Sequence, residues 1–335
     1  MRYRSSDRAL LTAFVPLTLL IAAVAASCQA AAQNYPSRPI ILVVPNPPGG
    51  TVDIMARAVA DTLSRGLGQQ VVVENRAGGA SGTVAARGVA KATPDGYTLL
   101  IGYTTLLATS PSLYPNVGFD PRKDFSPVGL IASAPSVLIA NLDVPARNAQ
   151  DLIALMKASP EPYQVGSPGT GSTNYLTAGL FAARAGVKIQ QIPYKGSAPV
   201  INDLIGGHIK VAFNPIPVSR AAIENKLIRA LAVSSLKRSS LFPDVAPIAE
   251  SGLPGFDAVL TYGIVGPAGM PRAIVERLNA ELKIALATER VQQRLFQEGA
   301  EPSPTTPEDY GAIIDREEAQ WATLIKSMGL KAGKD

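Results

Sequence analysis

Pro45-Asn46-Pro47-Pro48-Gly49-Gly50-Thr51-Val52-Asp53 is the stretch whose reading decides the fold. The apolar run Ile40-Ile41-Leu42-Val43-Val44 before it reads as a buried strand. Behind it Val52, Met55, Ala56, Val59, Ala60 and Leu63 recur three and four apart, as one face of a helix does. Two glycines therefore stand where a strand ends and a helix begins. Free N–H groups and the positive end of the helix dipole meet there, so the junction suits a small anion.

The pattern repeats along the chain. Val71–Val73 reads as a strand and runs into Asn75-Arg76-Ala77-Gly78-Gly79-Ala80-Ser81-Gly82 and a helix over 83–91. Tyr97–Ile101 is a third strand, closed by Gly102-Tyr103-Thr104-Thr105. A second series begins beyond Pro145, with a helix over Ala149–Ala158 and a strand over 163–165. It continues through the turn Gly166-Ser167-Pro168-Gly169-Thr170-Gly171-Ser172-Thr173-Asn174 into another helix. Strands over 189–192, 209–213 (ending at Asn214-Pro215) and 228–233 follow, and a long helical region is expected from Pro271 to about Phe296. Pro307 opens a last helix carrying Trp321 on its apolar face. Alternating strands and helices predict an α/β fold with largely parallel sheets, divided into two lobes.

Three junctions rich in glycine and hydroxyl residues point to a ligand site at the carboxyl ends of the strands. The plainer alternative is that each glycine only permits a tight turn. Nucleotide readings fail on detail, because Ser172 stands where a P-loop needs lysine and Asn174 where a dinucleotide fingerprint needs its third glycine. Catalytic readings have little to stand on. His208, in a Gly206-Gly207 turn, is the chain's single histidine, and no Gly-x-Ser-x-Gly elbow accompanies it. One histidine and one cysteine do not make a metal centre of the usual kind, and no cofactor is expected. Asp53 suits the first turn of its helix at least as well as a ligand, and Lys195 is a cation inside a junction loop.

Charge and targeting narrow the class. The net charge is +5, of which +2 belongs to residues 1–32, and no basic stripe with interleaved aromatics appears, which argues against nucleic acid. Residues 1–32 read as a secretory signal peptide: Arg2, Arg4 and Arg8, an apolar run from Leu10 to Ala26, then Ala30-Ala31-Ala32. Cys28 loosely resembles a lipoprotein site, but cleavage after Ala32 removes it, so a soluble periplasmic protein is favoured over a lipid-anchored one.

The residues now quoted resemble the periplasmic solute-binding proteins of tripartite tricarboxylate transporters, the TctC or Bug family. The matching pieces are Tyr35-Pro36 with Arg38-Pro39, Pro48-Gly49-Gly50 with Asp53, Asn75-Arg76 with Gly78-Gly79, and Pro94-Asp95-Gly96-Tyr97-Thr98-Leu99. Gly166-Ser167 with Gly169-Thr170-Gly171-Ser172, and Tyr194-Lys195-Gly196, continue the series. The resemblance implies a two-lobed type II Venus-flytrap fold with a central cleft. Residues 33–136 and 258–335 would form one lobe and 137–257 the other, with crossing strands near Ser136–Ala140 and 256–265. It implies ligand contacts from Pro48, Gly49, Gly50, Gly79, Ala80, Thr104, Ser167, Thr170, Gly171, Ser172, Asn174 and Asn214. The implied role is capture of a small organic carboxylate by a monomer that delivers it to integral-membrane permease subunits. Many relatives carry His in place of Asn174 and Asp in place of Asn214. The alternatives are a ligand-loaded sensor that docks on a kinase ectodomain and a secreted enzyme acting on small carboxylates.

Overall fold

The computed structural model describes residues 35–330 apart from Pro115, and Ala80 by its backbone alone. The expected signal peptide and Cys28 lie outside the described residues. In chain order the elements are β1 (Ile40–Val44), α1 (Thr51–Leu67), β2 (Val71–Asn75), α2 (Thr83–Ala90), β3 (Thr98–Tyr103) and the short α3 (Ser110–Leu113). Then come β4 (Phe125–Ala140), α4 (Ala149–Ala158), β5 (Tyr163–Ser167), α5 (Thr173–Ala185), β6 (Ile189–Pro193), α6 (Ser197–Ile205) and β7 (Val211–Pro215). The chain closes with α7 (Ile216–Glu224), β8 (Arg229–Val233), β9 (Val259–Pro267), α8 (Arg272–Ala287), α9 (Glu289–Gln297), β10 (Glu301–Pro302) and α10 (Pro307–Ser327).

The strands follow the order β2-β1-β3-β9-β4-β7-β5-β6, with β8 and β10 also paired to β4. β1, β2 and β3 are mutually parallel, as are β5, β6 and β7, whereas β9 and β4 run antiparallel to their neighbours. The long β4 joins the two halves. Its first part pairs with β9 from Phe125 to Pro135, and its last part pairs with β7 and β8 from Ser136 to Ala140. The chain returns past Ala258, whose N–H donates to Ser234 O, into β9. The result is a two-lobed α/β fold. One core packs β1, β3, α1 and α8, while two more cover the opposite faces of the β5-β7 sheet.

Side-chain size sets how closely helices approach. Gly102 and Gly263 are direct partners across β3 and β9, and a Cβ on Gly263 would enter the Tyr310 ring. The missing side chains form the trough in which α10 lies. Pro36–Pro39 and the 94–97 turn hold each other. Tyr35 Oη donates to Gly96 O at 2.8 Å, and the Arg38 guanidinium pairs with Asp95 and sits 4.1 Å above the Tyr97 ring centre.

The helical region expected from Pro271 to about Phe296 is two helices, because Thr288 is extended (φ −78°, ψ 136°) and its hydroxyl donates to Ala285 O. The strand expected to end at Asn214-Pro215 does end there, and the chain runs straight on into α7, with Pro217 in its first turn, where no N–H is needed.

Candidate ligand site at the facing strand ends

The first turn is held open by a carboxylate that never leaves the protein. Gly49 adopts φ +84°, and Gly50 caps α1 with no side chain to satisfy its first N–H groups. Asp53, buried to 3% exposure, accepts from Gly49 N and Arg57 Nε, both at 2.9 Å, and from Asn75 Nδ2 at 2.8 Å. Asn75 Nδ2 also donates to Asn46 O at 3.0 Å. Burial alone would raise the Asp53 pKa. The bonds from Arg57, Gly49 and Asn75 outweigh it and hold the carboxyl below the ordinary aspartate value. Asp53 shapes the loop through these three bonds.

The second turn locks onto the first. Gly78, Gly79 and Gly82 all have positive φ, and Ser81 sits in the left-handed region at φ 54°, a strained place for a residue with a side chain. A Cβ on Gly82 would strike Pro45, side chain and carbonyl alike. Tyr103 Oη donates to Ser81 O at 3.1 Å, which fixes the turn against the end of β3. Helices α1, α2 and α6 thus all start from glycine caps (Gly50, Gly82, Gly196) without a side-chain bond. Serine or aspartate usually fills that place.

The second lobe contributes the ends of β5 and β7. Ser167 and Asn214 are fully buried, Asn174 is half-buried, and Thr170 is exposed. Ser219 Oγ has one proton and gives it to Pro215 O at 2.9 Å, so it must accept from Asn214 Nδ2 at 3.1 Å. That fixes the amide and leaves Asn214 Oδ1 as the free atom. Six buried side-chain polar atoms lack a protein partner among the described residues, and four of them stand at these junctions: Asn46 Oδ1, Ser167 Oγ, Asn174 Oδ1 and Asn214 Oδ1. Buried polar groups are normally paired, so this concentration is a property of the junctions. Asn46 was not among the candidate contacts, although Asn46-Pro47 departs from the residues usual in the family that the sequence resembles.

Not every candidate has a free side chain. The Ser172 hydroxyl caps α5, accepting from Tyr175 N at 3.2 Å and donating to Gly169 O at 2.8 Å. Thr104 is turned inward, where its Oγ1 accepts from Thr261 N at 2.7 Å. Thr51 Oγ1 donates to Glu298 at 3.1 Å. Pro48, Gly49, Gly50 and Gly79 are exposed, Gly171 (φ +74°) is half-buried, and Lys195 is exposed.

Strand register states how the two sets face each other. Tyr103, the last residue of β3, pairs with Tyr262, which pairs with Ala132 of β4. Pro215, the last residue of β7, pairs with Ser136 of the same strand. The carboxyl ends of both parallel sheets therefore point toward the stretch from Ala132 to Ser136, about 13 Å along a strand. A cavity of about 530 Å³ lies elsewhere, among Tyr114, Phe119, Arg122, Lys123 and Glu318, and none of the glycine turns lines it.

Comparison with known proteins shows the family. A family model described as the tripartite tricarboxylate transporter family receptor matches residues 55–330. The chain is similar to Protein BugT of Bordetella pertussis, 37% identical over 314 residues that cover 93% of this chain and 96% of BugT. Among solved structures it resembles Rpa4515 of R. palustris with adipate (36% identity, TM-score 0.69, 89% of this chain and 99% of that one). It also resembles a TctC solute-binding protein from Polaromonas without ligand (29% identity, TM-score 0.81, 88% and 100%). The chain belongs to the receptor family of the tripartite tricarboxylate transporters, the TctC or Bug solute-binding proteins.

Proposed function

We propose that this protein captures a small organic carboxylate between its lobes in the periplasm and delivers it to membrane permease subunits. The observation that most supports the reading is the register of β4, by which the carboxyl ends of the parallel strands that lead into the uncapped helices α1 and α2 face those of the second lobe. In this reading the turn at Pro48–Gly50, with Gly79 and Ala80, grips a carboxylate through backbone N–H groups. Ser167, Thr170, Gly171, Asn174 and Asn214 meet the other end, and Thr104 and Ser172 act through the backbone they hold. Such donors are worth about 1 kcal/mol each in net terms, so several must act together in a closed cleft. Rpa4515 with bound adipate supports the ligand class. The lobes are taken as 33–136 with 258–335 and 137–257. Among the described residues no helix is long and apolar enough to cross a membrane. Membership of a receptor family supports binding rather than turnover.

A thermal-shift screen of refolded protein against mono-, di- and tricarboxylates, aromatic acids and amino acids tests the reading. At one hundred times the dissociation constant, the right acid should stabilise the fold by about 2.7 kcal/mol. A panel without any shift would sink it.

A further inference from the structure

Helix α10 packs into two cores. Tyr310 and Ile314 belong to the core around β1 and β3, whereas Trp321, Leu324 and Ile325 belong to the core around β5, β7 and α5. Glu317 lies between these two sets and is 8% exposed. Its Oε2 accepts from Thr261 Oγ1 at 3.1 Å, and Thr261 stands near the start of β9, where the chain comes back from the second lobe. Thr261 Oγ1 is 2.9 Å from Thr104 Oγ1 at the end of β3.

The protons can be counted. Thr261 N–H ends on Thr104 Oγ1, so the one Thr104 proton is free for Thr261 Oγ1, whose own proton goes to Glu317. One or two neutral threonine hydroxyls are poor solvation for a buried carboxylate, which has about four acceptor sites. Burial pushes the Glu317 pKa up to about 8. The Thr104 and Thr261 hydroxyls oppose the rise, the charge of Asp257 adds to it, and Arg316 opposes it.

Few other charges face this group. Arg316 lies 3.8 Å from Asp257, and both border the same small cavity as Glu317. The Tyr310 phenol lies on the same helix, with its own ionisation opposed by burial and by Glu317. β3, β4, β9 and the 105–113 segment bring tyrosines but no Asp, Glu, Lys, Arg or His. On α5, Arg184 is occupied by Pro254 O, and Arg272 of α8 reaches Glu308 at the far end of α10. Arg122 pairs with Asp315 and Glu318, which are more exposed than Glu317.

We propose that Glu317 is a proton-operated latch of the interlobe hinge. As the neutral acid it lets α10 lie against β9 and couples the two cores. As the carboxylate it must draw water into the seam, which loosens α10 from β9 and favours the open arrangement of the lobes. The proposal needs the two-lobed fold, but it does not depend on the ligand being a carboxylate.

The protein carries its own reporter. Trp321 is the chain's only tryptophan, one turn from Glu317. It is buried, its indole N–H has no protein partner among the described residues, and it lines the same cavity of about 10 Å³, room for about one water. Tryptophan emission of the ligand-free mature protein is therefore titrated from pH 5.5 to 9.5, with small-angle X-ray scattering at both ends. The wild type should show one transition with its midpoint near 8 and a larger radius of gyration at high pH. Glu317→Gln should hold the low-pH emission and radius throughout. A flat wild-type titration, the same transition in Glu317→Gln, or a radius indifferent to pH would overturn the proposal. Should Glu317→Gln fail to fold, Thr261→Val must move the midpoint upward by removing the donor to the carboxylate, and an unmoved midpoint is equally fatal. Because no ligand is present, failure here leaves the binding reading standing, and failure of the carboxylate screen leaves the latch standing.

Discussion

Gly82 has two reasons to be glycine. Its φ of +82° is costly for any residue with a Cβ, and that Cβ would strike the Pro45 carbonyl and ring. Gly82→Ala should therefore cost roughly 2–4 kcal/mol, combining left-handed strain with overpacking at the contact between the two turns. Urea unfolding reads it, and a loss below about 0.5 kcal/mol would show that the contact is soft. Glycine-rich turns were legible in the sequence, because strand, glycine and helix periods follow one another there. What each side chain does inside them was less legible. Ser172 looks like a ligand hydroxyl and is a helix cap, while Asn46 was no candidate contact and holds an oxygen with no protein partner among the described residues. Such assignments depend on where protons go, and spacing does not carry that.

Helices and strands were readable wherever one face is apolar. The α4 span was read residue for residue, because Asn148 caps it and the burial period is regular. The 271–296 pattern hid its break, since Val291 and Leu295 continue the apolar stripe beyond Thr288. α10 shows how a strand pair prepares for a helix. Gly263 faces the Tyr310 ring with no space for a methyl group. Gly263→Ala should destabilise by about 1–3 kcal/mol through overpacking. Calorimetric melting checks this, and an unchanged melting temperature would mean that α10 can shift outward freely.

At the scale of the whole molecule, alternation announced two lobes, but the facing of their strand ends depends on β4. Its first ten or so residues escaped the reading because both faces are buried and no period of two appears. The latch adds a pH dependence to this frame. The native Glu317 pKa of about 8 lies above the ordinary 4.5, so the fold retains a proton that the unfolded chain releases. Stability from this group is full below about pH 4.5, declines as the pH rises toward 8, and stays lost above it. Denaturant unfolding at pH 6 and pH 9 should show the decline in the wild type and lack its Glu317 share in Glu317→Gln. A slope common to both proteins would place the titrating group elsewhere.

The central claim is that the uncapped start of α1 holds the ligand's carboxylate, and Gly50→Asp tests it most directly. Gly50 has φ −81° and ψ 165°, and a Cβ there meets only Pro47 O at 3.8 Å, so aspartate fits. As a helix cap it should change stability by no more than a few tenths of a kcal/mol. Its carboxylate would occupy the place claimed for the ligand's. Titration calorimetry with the acid that most stabilises the wild type should give no binding heat to folded Gly50→Asp, and wild-type affinity in that variant would contradict the account.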